Sequence, residues 1–193
     1  MRLAIVPARG GSVRIPRKNI REFWEYPIIG FTIHTLQDCK LFDEVVVSTD
    51  DEQIAAVAVT FGAKIHWRET DDGTRGTQEV AKMVLDARAD VADDDLACVM
   101  YATAPLVKPA DLICAAKCLG FGDAFVMAVG TEPLRDAGAF YLGLAAEFRT
   151  SHPLIHIDTR MYPLPENRIC DINTEEDWTR AEQLYLEMNH ERG

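Results

Sequence analysis

Along most of this chain, short apolar runs alternate with stretches of helical apolar spacing. Leu3 to Val6 is an apolar run that stops at Pro7, the pattern of a buried strand feeding a loop that holds Gly10 and Gly11. Pro27 to Leu36 has helical spacing and Glu44 to Val47 is β-branched. Asp51 to Phe61 is helical again, with Ser48 or Asp50 available as its cap. Lys64 to Trp67 predicts a third strand, Glu69 to Thr77 a polar loop, and Glu79 to Arg88 a helix that buries Val80, Met83, Val84 and Ala87. Leu96 to Tyr101 reads as a strand, Ala102 to Pro105 as a turn, Pro109 to Leu119 as a helix and Ala124 to Val129 as a further strand.

After Gly130 the pattern is less regular, and Ala139 to Leu142 and Leu154 to Ile157 are the expected strands of a mixed region. A helix closes the chain. Thr174 is its N-cap, Glu175, Glu176 and Asp177 suit the positive helix end, and Trp178, Ala181, Leu184 and Tyr185 turn inward. Strands alternating with helices predict an α/β fold, a mostly parallel sheet covered on both faces, with a mixed C-terminal part.

With 193 residues and 48% hydrophobic content, residues 1–193 suit one domain with one sizeable core. No apolar run reaches the roughly 20 residues of a membrane span, and the N-terminus lacks the features of a secretory signal, so a cytoplasmic protein is expected. Cys39, Cys98, Cys114, Cys118 and Cys170 include no CxxC pair and read as reduced, mostly buried thiols. Cys114 and Cys118 share a helix face, where core packing is the expected role. A net charge of −11 disfavours binding to nucleic acid or to anionic membrane. Yet Arg9, Arg14, Arg17, Lys18 and Arg21 fall within one stretch that has no acidic residue, which suits a small, strongly anionic ligand such as a nucleoside triphosphate.

In an open parallel sheet ligands bind outside the carboxyl ends of the strands, which brings the loops starting at Pro7, Ser48, Tyr101 and Arg168 around one pocket. Gly10 and Gly11 allow backbone N–H groups to approach phosphate, and Arg9 and Lys18 can neutralise a leaving pyrophosphate. The competing structural role is a solvated basic turn paired to surface carboxylates. No Gly-Lys-Ser/Thr ends the loop, which excludes a Walker A cradle. Ser48, Thr49, Asp50 and Asp51 suit helix capping first. Asp171 is a candidate Mg²⁺ ligand, because that ion takes one or two carboxylates alongside substrate phosphates. His152 and His156 do not make a metal pair, since Pro153 breaks the helix between them. Tyr101, Phe140 and Tyr141 suit packing, with Tyr101 at the ligand edge.

The segment AIVPARGGSVRIPRKNI, Ala4 to Ile20, closely resembles the signature of the CMP-sialic acid synthetases, the acylneuraminate cytidylyltransferases. VVVSTDDEQIA, YATAPLV, DAGAFYLG and CDINTEEDWTRAE follow in the family's order, so the resemblance covers most of the chain. YATAP and DAGAFY resemble the branch that activates pseudaminic acid. The resemblance implies a Rossmann-like, three-layer nucleotide-diphospho-sugar transferase fold, CTP as donor, an acidic nine-carbon sugar as acceptor and Mg²⁺ as cofactor. It further implies that Ala8, Arg9, Gly10, Gly11, Ser12, Lys18 and Asn19 form the nucleotide loop, with Arg9 and Lys18 on the triphosphate. By the same resemblance Arg68 and Thr77 are further nucleotide contacts, Tyr101 and Thr103 lie nearest the sugar, and Asp171 and Asn173 occupy the metal-binding Asp-x-Asp.

The sequence departs from that pattern in three places. Val13 stands where the family has Lys, and Asn173 where it has Asp. Between Gly130 and Asp136 the family carries a projecting segment that supports dimerisation and encloses the sugar, and here it is almost missing; the loop from Arg68 to Thr77 is also short. A more open sugar pocket follows, and the usual homodimer interface is not expected. Two other functions stay open on sequence alone: a cytidine-nucleotide-binding paralogue without turnover, and a cytidylyltransferase for another sialic or 3-deoxy sugar acid.

Overall fold

Strand β1 (Leu3–Pro7) is apolar on both sides, and its alternate residues serve two cores: Ala4 and Val6 face one, Leu3 and Ile5 the other. The computed structural model describes residues 1–69, 75–150 and 153–190. The chain continues through a small hairpin of β2 (Glu22–Phe23) and β3 (Tyr26–Pro27) into α1 (Ile28–Asp38), β4 (Glu44–Thr49), α2 (Glu52–Thr60) and β5 (Lys64–Trp67). Next come α3 (Thr77–Asp86), β6 (Leu96–Met100), α4 (Pro109–Cys118), β7 (Phe125–Thr131), β8 (Leu134–Leu144) and α5 (Ala145–Arg149). Strand β9 (Thr159–Pro163) and helix α6 (Glu175–His190) complete the order.

Seven strands form one sheet in the order β5-β4-β1-β6-β8-β7-β9. All pair in parallel except at β8, which runs against both β6 and β7. The expected mixed C-terminal part is this one reversed strand and the β7–β9 pair beyond it. Helices α1, α2 and α4 cover one face through Ile29, Ile33, Leu36, Ile54, Ala58, Leu112 and Ala115. Helices α3 and α5 cover the other through Ala81, Val84, Leu85, Ala145 and Phe148. Burial of these side chains, at roughly 1.5–3 kcal/mol for each large apolar group, drives the three-layer arrangement.

A third, smaller core joins Ile15, Phe23 and Ile28 to Ile172, Trp178 and Ala181. It packs the basic loop of residues 8–21 against the terminal helix. Phe23 meets Trp178 edge to face at 5.7 Å, and Tyr185 at 5.6 Å.

Several expectations need correction. Helix α2 is capped by Asp51, whose Oδ1 accepts from the N–H groups of Gln53 (2.9 Å) and Ile54 (3.0 Å), and not by Ser48 or Asp50. Helix α3 starts at Thr77 and buries Val80, Ala81, Val84 and Leu85; it ends at Asp86, which leaves Ala87 exposed. Leu154–Ile157 is no strand, because Ile155 and Ile157 lie exposed in a turn and the pairing with β7 is made by 159–163 instead. Cys114 and Cys118 are exposed, since α4 turns Leu112 and Ala115 to the sheet. Most of the expected 69–77 loop, and His152, lie outside the described residues. Among the described residues no helix is long and apolar enough to cross a membrane.

The start of α6 follows expectation. The Asp177 N–H donates to Thr174 Oγ1 (3.2 Å), and Asp177 Oδ2 accepts from the Thr174 N–H (2.8 Å), a reciprocal cap. Thr174→Ala is expected to cost about 1 kcal/mol of stability, read from the urea midpoint at unchanged slope.

Candidate active site

Strand β1 lies between β4 and β6, so the chain leaves it to one side through α1 and later returns to the other through α3. Such a switch opens a crevice at the carboxyl ends of the strands. A cleft of about 320 Å³ occupies this position, built from residues after β1, after β5, at the start of α3, after β6 and just before α6. Arg9, Arg14, Lys18, Arg68 and Arg75 line it, and among the described residues no lining residue is acidic. In a chain of net charge −11 this is a strong local reversal.

The basic loop divides its cations between structure and cleft. Arg17, in the left-handed region at φ 57°, clamps Asp51 with two hydrogen bonds of 2.6 and 3.0 Å. Arg21 reaches both oxygens of Glu175 and stacks 4.4 Å from the Trp178 ring centroid. These two play the structural role weighed from sequence, while Arg9, Arg14 and Lys18 line the cleft. Gly10 donates its N–H to Asp50 Oδ1 at 2.8 Å, and a Cβ there would come within 2.6 Å of Asp51 Oδ2. This glycine is needed for close approach to β4 and α2, and its amide is already engaged.

Lys18 crosses to the C-terminal side of the site, where its Nζ donates to the Ile172 carbonyl at 2.6 Å. Burial lowers its pKa; Asp171 opposes that shift, and the nearby Arg14 and Arg9 reinforce it. An anion in the cleft would favour the ammonium and oppose that shift. Asn19 is buried and donates its side-chain N–H to the Arg9 carbonyl at 3.0 Å, bracing the turn. Also at the cleft, Thr77 Oγ1 and the Tyr101 hydroxyl lie 3.1 Å apart, and burial raises the Tyr101 pKa.

A family model described as cytidylyltransferase matches residues 3–128. The chain belongs to the cytidylyltransferase family. This cytidylyltransferase is 32% identical to the pseudaminic acid cytidylyltransferase of Campylobacter jejuni subsp. jejuni serotype O:2, over 98% of its own length and 97% of the relative's. That alignment has 228 positions, of which this chain fills about 189, so roughly 39 positions of the relative have no counterpart. It is 38% identical to the CMP-N,N'-diacetyllegionaminic acid synthase of Legionella pneumophila over 55% of this chain and 48% of that one. Among solved structures, CMP:2-keto-3-deoxy-manno-octonic acid synthetase complexed with CTP superposes with a TM-score of 0.76, covering 97% of this chain and 100% of that one. At 13% identity the likeness carries the fold, which is the nucleotidyltransferase fold expected from sequence.

Of the residues singled out in sequence, the cleft of this cytidylyltransferase brings together Arg9, Ser12, Lys18, Asn19, Arg68, Thr77, Tyr101, Thr103 and Asn173. Ala8, Gly10, Gly11 and Asp171 are not among its lining residues. Ala8 is buried and extends the β1–β4 ladder, donating to the Ser48 carbonyl at 2.9 Å. Gly11 is exposed. Asp171 is exposed beside Gly138, whose φ of +59° and missing side chain allow the approach; a Cβ would lie 2.9 Å from Asp171 Cβ and Cγ. Phe140 and Tyr141 are buried.

The resemblance assigns neither Arg75 nor Arg14 to the site, although Arg14 belongs to the basic stretch read from the sequence. Both line the cleft, and Val13 beside them is 89% exposed. The signal for Arg75 was its place two residues before Thr77, at the positive end of α3.

Proposed function

We propose that this cytidylyltransferase joins the CMP part of CTP to a nonulosonic acid, with pseudaminic acid favoured, and releases pyrophosphate. The observation that carries the reading is the five-cation cleft at the carboxyl edge of the sheet, in a chain that aligns over nearly its whole length with a pseudaminic acid cytidylyltransferase. Residues 1–193 are taken as a single nucleotidyltransferase domain. A reaction that consumes CTP belongs in the cytoplasm.

In the proposed reaction the sugar's anomeric hydroxyl attacks the α-phosphorus. The bond to the bridging β-phosphate oxygen breaks and the hydroxyl proton is lost. Arg9 and Lys18, joined by Arg14, Arg68 and Arg75, hold the triphosphate and neutralise the charge that grows on pyrophosphate. Ser12 and Asn19 shape the nucleotide loop, and Thr77 also lines the cleft. Tyr101 and Thr103 border the acceptor. Holding the hydroxyl in line with the breaking bond contributes the rest.

Asp171 and Asn173 fit Mg²⁺. The carboxylate of Asp171 is exposed, and Asn173 spends its amide N–H on the Asp171 carbonyl at 3.4 Å, which leaves a hard oxygen on each side chain. Among the described residues no group of three or more His, Cys, Asp or Glu could hold a metal, so substrate phosphates complete the proposed coordination. These two residues would hold the ion, which when bound polarises the phosphates. Gly138→Ala should displace Asp171 and raise the Mg²⁺ concentration for half-maximal turnover several-fold, with CTP binding in the absence of metal unchanged.

The deciding experiment measures pyrophosphate release from CTP and Mg²⁺ with a panel of nine-carbon and 3-deoxy sugar acids. Release with pseudaminic acid is expected. Release with another acid alone redirects the reading to that acceptor, and silence alongside measurable CTP binding identifies a nucleotide-binding paralogue. The short β7–β8 connection also leads us to expect no stable dimer built on the family's projecting segment; a concentration-independent dimer in sedimentation would oppose this.

A further inference from the structure

Strand β8 departs from a regular ladder at the carboxyl edge of the sheet. Met127 of β7 pairs with Tyr141 and Val129 with Asp136, so Ala128 alone faces residues 137–140 of β8. On the other side Phe140 pairs with Met100, and the Tyr101 N–H donates to the Ala139 carbonyl. The surplus residues form a bulge next to Tyr101 of the cleft, with Ala137 and Ala139 buried and Gly138 between them at φ +59°.

One side chain closes this bulge. Asp136 Oδ1 accepts from the Gly138 N–H at 2.9 Å, and Tyr141 donates its hydroxyl to Asp136 Oδ2. Asp136 is exposed but Tyr141 is buried in the core, so the carboxylate ties the Gly138 backbone to a fixed ring. Residues in such a bulge lose their ladder partners, and the Asp136 carboxylate supplies one.

Gly138 in turn carries the Asp171 side chain. A Cβ on Gly138 would lie 2.9 Å from Asp171 Cβ and Cγ and 3.1 Å from its Oδ1, so that side chain rests directly on the glycine backbone. The main chain of the segment is held separately, by Lys18 on the Ile172 carbonyl and by the Asn173 amide on the Asp171 carbonyl. Where the Asp171 carboxylate points is therefore set by where the bulge puts Gly138.

We propose that Asp136 is a positioning residue that, braced by Tyr141, fixes the β8 bulge and so holds the Asp171 carboxylate where a divalent cation would bind. The inference rests on the proposed role of Asp171 toward Mg²⁺ and deepens it. Asp136 itself is no metal ligand. What it contributes is an oxygen that accepts from Gly138, not its charge.

That distinction sets the test, which reads Mn²⁺ binding by EPR in the protein–CTP complex, with protein in excess of CTP and no acceptor sugar. Asp136→Ala should weaken Mn²⁺ binding about five- to tenfold, the low end of the loss when an outer partner of a metal ligand is removed. Asp136→Asn keeps an oxygen for the Gly138 N–H and should stay within about twofold of the wild type. Tyr141→Phe should lose less than Asp136→Ala, and the double variant should lose no more than Asp136→Ala alone. CTP affinity without metal should be unchanged throughout, and Asp171→Ala gives the reference for loss of the ligand itself. The inference alone falls if Asp171→Ala weakens Mn²⁺ binding and Asp136→Ala does not. It falls equally if Asp136→Asn loses as much as Asp136→Ala, or if metal-free CTP affinity drops in step. Mn²⁺ binding that survives Asp171→Ala unchanged overturns the assignment of Asp171 and the inference with it.

Discussion

Lys18→Met is expected to lower kcat/KM for CTP by roughly a hundred- to a thousandfold, the usual loss when one preorganised donor to developing charge is removed. The methionine keeps the length of the stem and its packing, so the Ile15 and Ile172 neighbourhood should survive, and circular dichroism should match the wild type. Stability at neutral pH should hold or rise slightly. Because burial lowers the folded-state pKa of Lys18 below its unfolded value, the charged form costs stability at every pH below the folded pKa. That cost fades as pH climbs from the folded pKa to the unfolded one, and the methionine variant lacks it throughout. Binding behaves oppositely. A triphosphate favours the ammonium, so wild-type affinity for CTP should fall as pH rises through the lowered Lys18 pKa, and the variant should lose that limb of the titration. A pyrophosphate-release profile on both proteins reads the two effects together.

Trp178→Ala should be the most damaging change away from the cleft, at about 3–5 kcal/mol in denaturant unfolding. Trp178 is fully enclosed in the small core and carries Arg21 on its face, with Nε1 donating to Glu182 Oε1 at 3.1 Å. That core is the floor beneath Ile15, which lies between Arg14 and Lys18. The loss should therefore appear in function too, as a raised KM for CTP in the protein that remains folded. Trp178→Phe, which keeps the aromatic contact with Phe23, should recover most of both. A variant with the full stability loss and an unaltered KM would detach the small core from the site.

Much of this architecture was legible because buried parallel strands write themselves plainly. The apolar runs at Leu3–Val6 and Leu96–Tyr101 mark strands within a residue of where they lie, and the caps of α6 follow from Thr174 and Asp177 alone. The end of the sheet was not legible in the same way. Strand β9 carries Thr159, Arg160 and Met161 on an edge where only one side pairs, so no apolar alternation distinguishes it from the exposed Ile155 and Ile157 before it. The cleft was legible as a basic stretch, but which cations it keeps was not. Arg17 and Arg21 differ from Arg14 and Lys18 only in having Asp51 and Glu175 within reach, and those partners are tens of residues or more away in sequence. Arg75 joins the site only because the start of α3 folds over it.

The attachment of the basic loop to α2 has a consequence for the entropy of binding. One carboxylate, Asp51, caps that helix and clamps Arg17, while its neighbour Asp50 holds the Gly10 amide. Both feet of the segment are thereby pinned to the same rigid unit, and Ile15 anchors its middle in the small core. Few backbone conformers are left to give up when a nucleotide arrives, so the attraction of the cations is spent on the ligand and little of it on ordering the chain.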